Sequence, residues 1–248
     1  MTEAPQHPVQ ITVAPDGPAL AQRAAALFIE HARAAVADHG RFSVALSGGH
    51  TPVPTYLRLA QPEIRDQVPW EHVHVFWGDE RCVPPDDSRS NERMVRDTLL
   101  KDVPVPASQV HPIRCAGDPA AAAQAYENAL REHFGEAPRF DLVFLGLGMD
   151  GHTASLFPGT TVLRERKRWA AAVKPGRKRL VRVTLTLPVL EQASCVAFLV
   201  AGNAKAAIVH HVLRSGDSDN GVPARRVRPA GPVHWLLDAG AAAQLDDV

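Results

Sequence analysis

The sequence predicts an α/β protein: a single-domain, Rossmann-like fold with a mostly parallel, doubly wound sheet flanked by helices. Three observations predict it. Short apolar or β-branched runs recur along the chain, helical patterns lie between them, and no linker-like break in composition divides the 248 residues. Strands alternating with helices imply βαβ units. Two runs, Leu142-Val143-Phe144-Leu145 and Val196-Ala197-Phe198-Leu199-Val200, are continuously hydrophobic, which suits strands covered on both faces.

In chain order, the expected strands are Val9–Val13, Phe42–Leu46, His72–Trp77, Phe140–Gly146, Val181–Leu185, Cys195–Ala201 and Val233–Leu237. A helix is expected over Pro18–His39, where Leu20, Ala24, Leu27, Phe28 and Ala35 share one face and Gly40 ends the pattern. Ser90–Lys101, Pro119–Phe134 and Asn203–Arg214 read as further helices, and Pro52 opens a short one. An Arg/Lys-rich stretch from Arg164 to Arg182 and a loop from Ser215 to Gly221 are the weak points of this pattern.

Composition narrows the function. Lys plus Arg equals Asp plus Glu at 27 each, so no bulk field attracts nucleic acid or an anionic membrane. Any anion site must be local. No apolar run reaches the roughly 18 residues of a membrane span, and no signal peptide is visible. The three cysteines, Cys82, Cys115 and Cys195, are scattered and odd in number, which reads as reduced thiols in a cytoplasmic protein.

Ligands of open α/β sheets bind beyond the C-terminal ends of the strands. Four strand exits are unusual. Ser47-Gly48-Gly49-His50-Thr51-Pro52 offers backbone N–H groups and hydroxyls to an anion, or is a tight turn. It lacks the lysine and spacing of a P-loop, and Ala45 stands where a nucleophile elbow needs glycine. Gly78-Asp79-Glu80-Arg81 crowds three charges at one exit, which suits a ligand or a solvated turn. Gly146-Leu147-Gly148-Met149-Asp150-Gly151-His152-Thr153 satisfies GxGxxG literally, but Pro158 limits any following helix and no acidic strand end follows at the ribose distance. Its distinguishing pair is Asp150 and His152, a carboxylate able to orient a neutral imidazole base. Gly202-Asn203-Ala204-Lys205 puts a cation at a helix start, where an anion would have to share the site. His72 and His74 share a strand face without a third ligand in view, so no metal site is expected.

Together these segments resemble the 6-phosphogluconolactonase family. The resemblance rests on SGGHTP at Ser47–Pro52, GDERCVP at Gly78–Pro84 followed by Ser90-Asn91, and GLGMDGHTASLFP at Gly146–Pro158. Arg182-Val183-Thr184-Leu185-Thr186-Leu187-Pro188 and GNAKA at Gly202–Ala206 extend it over nearly the whole chain in the same order. It implies the fold of glucosamine-6-phosphate deaminases and hydrolysis of 6-phosphoglucono-1,5-lactone to 6-phosphogluconate, with no metal or organic cofactor. The partner implied is a small phosphorylated sugar lactone, with functional coupling to glucose-6-phosphate dehydrogenase. On that reading His152 is the general base, Asp150 orients it, and Arg81, its position fixed by Asp79 and Glu80, holds the substrate or its oxyanion. Ser47, Gly48, Gly49, Thr51, Asp79, Glu80, Asn91, Gly148, Gly151, Thr153, Arg182 and Lys205 form the substrate and phosphate site; Asn91 either binds substrate or caps the next helix. The rivals are an amino-sugar-phosphate deaminase-isomerase, whose aspartate-glutamate exit continues with tyrosine rather than Arg81, and a non-catalytic sugar-phosphate sensor.

Overall fold

Six of the seven runs read as strands pair side by side into one sheet, in a computed structural model that describes residues 9–115, 117–177, 179–214 and 221–245. These strands are β1 (Val9–Ala14), β2 (Phe42–Leu46), β3 (Val73–Trp77), β5 (Leu142–Leu145), β8 (Val196–Val200) and β9 (Val233–Asp238). Their order is β1-β9-β8-β5-β2-β3, and every neighbouring pair is parallel. Every residue of β2, β5 and β8 is buried, as the continuous apolar runs require of strands with layers on both faces.

The helices close where local chemistry tells them to. Helix α1 (Gly17–His39) starts at Asp16, whose carboxylate accepts the Ala19 N–H at 2.8 Å, and stops at Gly40, whose φ of +81° is the left-handed cap. It presses Leu20, Ala24 and Phe28 into the core, where the Phe28 ring meets Phe42 edge-on at 5.1 Å. Helix α2 (Val53–Leu59) follows Pro52, α3 (Pro62–Arg65) is a single turn, and α5 (Pro119–Phe134) begins at Asp118. Ser90 caps α4 (Asn91–Val95) by accepting the Arg93 N–H, and a wider π-type turn carries the path through Leu100. Helix α6 is Leu187–Glu191 and α7 is Ala206–Arg214, the latter entered through a 3-10 turn at Asn203–Lys205.

The seventh run does not join the large sheet. Strand β7 (Arg182–Leu185) is the centre of a second, antiparallel sheet of order β4-β7-β6, with β4 at Asp79–Arg81 and β6 at Ala170–Val173. Neither β4 nor β6 stands out in the sequence, one being three charged residues and the other three alanines before a valine. Two further expectations are corrected. His72 lies in a 3-10 turn ahead of β3 and does not share the strand with His74. Cys82 and Cys115 form a disulfide, so the reading of three reduced thiols fails; the fold brings together two loops 33 residues apart in sequence, and only Cys195 is free and buried. The expected loop from Ser215 lies outside the described residues up to 220. Among the described residues no helix is long and apolar enough to cross a membrane.

Candidate active site

The chain places β2 between β3 and β5, so its path reverses direction in the sheet at the C-terminal ends of β2 and β5. A cleft of about 370 Å³ opens there, lined by the exits of β2, β3, β5 and β8. Ser47, Gly48, Gly49 and Thr51 border it after β2, and Asp79, Arg81 and Asn91 after β3. Gly148, His152 and Thr153 come from the exit of β5, Lys205 from that of β8 and Arg182 from the small sheet. Larger depressions elsewhere, around Arg33 and Trp70 and around Arg41 and Asp141, include none of these residues.

His152 lines the cleft and Asp150 lies against it. His152 Nδ1 is in hydrogen-bond contact with Asp150 Oδ1, which also accepts the His152 N–H at 3.2 Å. The imidazole stacks on Phe157 with ring centroids 4.1 Å apart. Burial lowers the His152 pKa below the ordinary imidazole value, against the opposing effect of Asp150. Burial pushes the Asp150 carboxyl the other way, but its hydrogen bond and charge contact with His152 bring it below the usual range. The result is a neutral base whose second nitrogen is free of Asp150. Gly148 leaves the space for it, since a Cβ there would come within 2.0 Å of His152 Nδ1. Gly151, at φ +76°, turns the loop beneath.

The cleft lining also carries cations, among them Arg81 and Arg182. Antiparallel pairing of β4 with β7 sets Arg81 directly across from Arg182. Like charges in that relation are destabilising unless something compensates. Asp79, nearly buried, supplies part of the compensation: its carboxylate lies 3.5 Å from Arg182 Nη1 and accepts from the Ser155 hydroxyl and, at 3.3 Å, from Asn91 Nδ2. Burial lowers the Arg182 pKa and outweighs Asp79. Arg81 Nη1 donates to the Arg89 carbonyl at 2.6 Å, while Arg81 Nε and Arg182 Nε are buried with no protein acceptor. The two guanidinium groups bring cationic charge to the cleft lining, which suits an anionic ligand.

Glu80 does not face the cleft. Its carboxylate, buried, accepts the backbone N–H groups of Arg81, Asn91 and Glu92 and the Ser90 hydroxyl. It is a buttress that holds the Arg81 and Asn91 backbone from behind and is not among the residues that line the cleft. Asn91 does not cap its helix, because Ser90 does; its amide donates to the Asp79 carbonyl at 2.8 Å and packs so tightly on Gly48 that a Cβ there would come within 2.0 Å. Thr153 spends its hydroxyl on the Gly146 carbonyl, and Ser47 its own on the Gly48 carbonyl. Lys205 Nζ donates to the Leu147 carbonyl at 2.6 Å and keeps two further protons to give. Helix α2 begins at Val53, directly after the Ser47–Pro52 loop.

Several positioning residues carry no signal in the sequence. The Tyr56 hydroxyl donates to the Ser47 carbonyl and accepts its N–H, and Tyr126 does the same for Trp77, so each tyrosine pins one strand exit. Arg179, from the Arg/Lys-rich stretch, lies 3.7 Å from Asp150 Oδ2 and 5.1 Å from the Phe157 ring. It ends the basic stretch 174–179, of which Lys178 lies outside the described residues.

Residues 15–235 match the family model for glucosamine-6-phosphate isomerases/6-phosphogluconolactonase. The chain is 41% identical over 241 residues to a 6-phosphogluconolactonase of Nostoc sp., covering 95% of this chain and 98% of the relative. It is 44% identical over 217 residues to one of Synechocystis sp., covering 85% and 88%. Among solved structures, 6-phosphogluconolactonase from Trypanosoma brucei superposes with a TM-score of 0.83 at 29% identity over 97% of this chain and all of that one. A monomeric glucosamine-6-phosphate deaminase shares the fold, with a TM-score of 0.80 at 20% identity over 95% of this chain and 99% of the other.

Proposed function

Because the chain belongs to the glucosamine-6-phosphate isomerase/6-phosphogluconolactonase family, we propose that it hydrolyses 6-phosphoglucono-1,5-lactone to 6-phosphogluconate. The observation that carries this reading is that His152, held by Asp150, lines one open cleft together with Arg81 and Arg182. Lactone hydrolysis needs a base for water, a cation for the oxyanion and a grip on the phosphate, and the cleft offers all three.

His152 takes a proton from water through the nitrogen that Asp150 leaves free, and the water oxygen attacks the lactone carbonyl. Arg81 stabilises the tetrahedral oxyanion. When the intermediate collapses, the ester bond to the ring oxygen breaks and His152 returns the proton to that oxygen. Asp150 holds the imidazole in the required tautomer throughout. Gly48, Gly49, Thr51, Arg182 and Lys205 grip the phosphate, and that remote binding orients the reacting carbonyl. Asp79, Asn91 and Glu80 keep the two arginines in place.

The lactone arises when glucose 6-phosphate is oxidised, so we place the reaction in the cytoplasm, coupled to glucose-6-phosphate dehydrogenase. The test generates the lactone in place with that dehydrogenase and follows its decay above the spontaneous background. Wild type is expected to accelerate hydrolysis, and His152→Ala to lose about 10²–10⁴ of that rate. A folded wild-type protein with no rate above background overturns the reading, and turnover of glucosamine 6-phosphate instead would favour the deaminase.

A further inference from the structure

We propose that His74, His111 and His133 form a binding site for a divalent transition ion, most suitably Zn²⁺, on the edge of the large sheet away from the lactone cleft. The three side chains come from separate elements. His74 lies on the edge strand β3, and His133 on the last turn of α5. His111 follows a segment that extends the sheet edge, its N–H donating to the Val75 carbonyl at 2.8 Å. One ring nitrogen from each falls within 4.8 Å of the others. His74 Nδ1 and His111 Nε2 are 3.2 Å apart. Tetrahedral Zn²⁺ with bonds of about 2.0–2.1 Å sets neighbouring nitrogens about 3.3–3.4 Å apart, so that pair is already spaced as ligands.

Packing alone does not call for imidazoles here. Phe76 and Phe134 fill the same layer, with Phe76 stacked on His111 at 4.3 Å and edge-on to Phe140. Three histidines in an aromatic layer bring polar nitrogens that need partners, and here they turn some of them toward one another. Burial lowers all three from the ordinary imidazole value, to about 4 for His74 and about 3 for His133, which leaves their lone pairs unprotonated at neutral pH. All three are only partly buried, so a water can complete the set. Ser43 Oγ, 2.8 Å from His133 Nε2, adds a hydroxyl at the margin. Arg41 also acts on His74 and His133, lowering both, and its side chain is exposed.

A second trio, His31, Cys195 and His234, is the weaker candidate. Burial pushes the Cys195 thiol up to about 12, and a thiol must ionise to become a ligand. The two trios therefore make different spectroscopic predictions.

The experiment uses the untagged full-length chain, stripped with chelator and dialysed against Zn²⁺ or Co²⁺ at neutral pH. One ion per chain is expected, with a tetrahedral Co²⁺ spectrum that lacks sulfur-to-metal charge transfer. His111→Phe keeps a ring on Phe76 but removes the donor, and should weaken binding by at least about 10–100-fold, the loss that even outer partners of a metal cause. The same variant should hydrolyse lactone at the wild-type rate, which also reports that it folds. His74→Phe serves if it does not. Cys195→Ser should bind as wild type does. No stoichiometric binding by wild type, a sulfur charge-transfer band, or binding that survives both histidine variants overturns the proposal.

Discussion

The two sheets of this protein divide its labour. In the six-stranded sheet, β2, β5 and β8 contain no charged residue and are buried along their whole length; the residues they bring to the cleft lie past the strand ends, Ser47 directly after β2, Gly148 and His152 after β5 and Lys205 after β8. In the three-stranded sheet the functional charges lie inside the strands, with Asp79, Glu80 and Arg81 making up β4 and Arg182 opening β7. The large sheet is a frame and the small one is a holder for charge. Hydrogen-bonded pairing of β4 with β7 fixes two guanidinium groups relative to each other more tightly than loops would. Holding them there carries a local electrostatic cost, which a bound anion relieves.

The comparison is broken most directly by removing a charge from the small sheet. Arg81→Met keeps the length of the side chain and should lower kcat for lactone hydrolysis by about 10²–10³, the cost of losing one oxyanion donor. Arg182→Met should act mainly on KM if Arg182 holds the phosphate. Steady-state kinetics on both variants separates the roles. An Arg81→Met enzyme with unchanged kcat would leave the small sheet with a binding role alone.

A second break targets the frame where it meets the holder. Gly48 follows β2, and an added Cβ would collide with Asn91, which in turn ties to Asp79. Gly48→Ala should therefore reduce kcat/KM by about 10²-fold through misplacement of roughly an ångström. Gly176→Ala, where nothing lies within 4 Å, should not. If the two variants behave alike, the Gly48–Asn91 contact does not transmit position to the site.

The same division explains what the sequence discloses. Strand β2 and helix α5 are found with the observed bounds, because one is an unbroken apolar run and the other has a capping aspartate and a first-turn proline. The four strand exits of the cleft are legible for a related reason: glycines and charges directly after apolar runs are costly without a ligand. Strand β4 is illegible because three charged residues have no period to read, and β6 because Ala170-Ala171-Ala172 satisfies helix and strand alike. Long-range meetings leave no local trace. Cys82 with Cys115, His74 with His111 and His133, and Tyr126 with Trp77 are products of topology, and each was invisible for that reason.

The disulfide sharpens the comparison from the side of stability. Cys82 directly follows Arg81, so the bridge to Cys115 anchors the far end of β4. Opening a loop of this length by Cys82→Ser should cost about 2–4 kcal/mol of unfolding free energy, measured by urea denaturation of oxidised wild type against the variant. KM should rise with it if the bridge also steadies Arg81. Loss of stability without a change in KM would confine the bridge to the scaffold.

The smallest effect tests the proposed base, His152, which follows the large sheet rather than the small one. Burial lowers the His152 pKa, so the free enzyme needs the neutral imidazole and should lose kcat/KM only as pH falls below the ordinary imidazole value of about 6.5. The sign for stability is the same: below that value the unfolded chain takes up a proton that native His152 resists, so acid weakens the fold through this group. Asp150 acts in the opposite direction, raising the His152 pKa through its hydrogen bond and charge. In Asp150→Asn that support is gone, so the acidic limb should move to still lower pH while kcat falls with the loss of the oriented tautomer. An acidic limb that moves upward in Asp150→Asn would mean that the titrating group is not His152 held by Asp150, and the base would have to be sought among the other groups of the cleft.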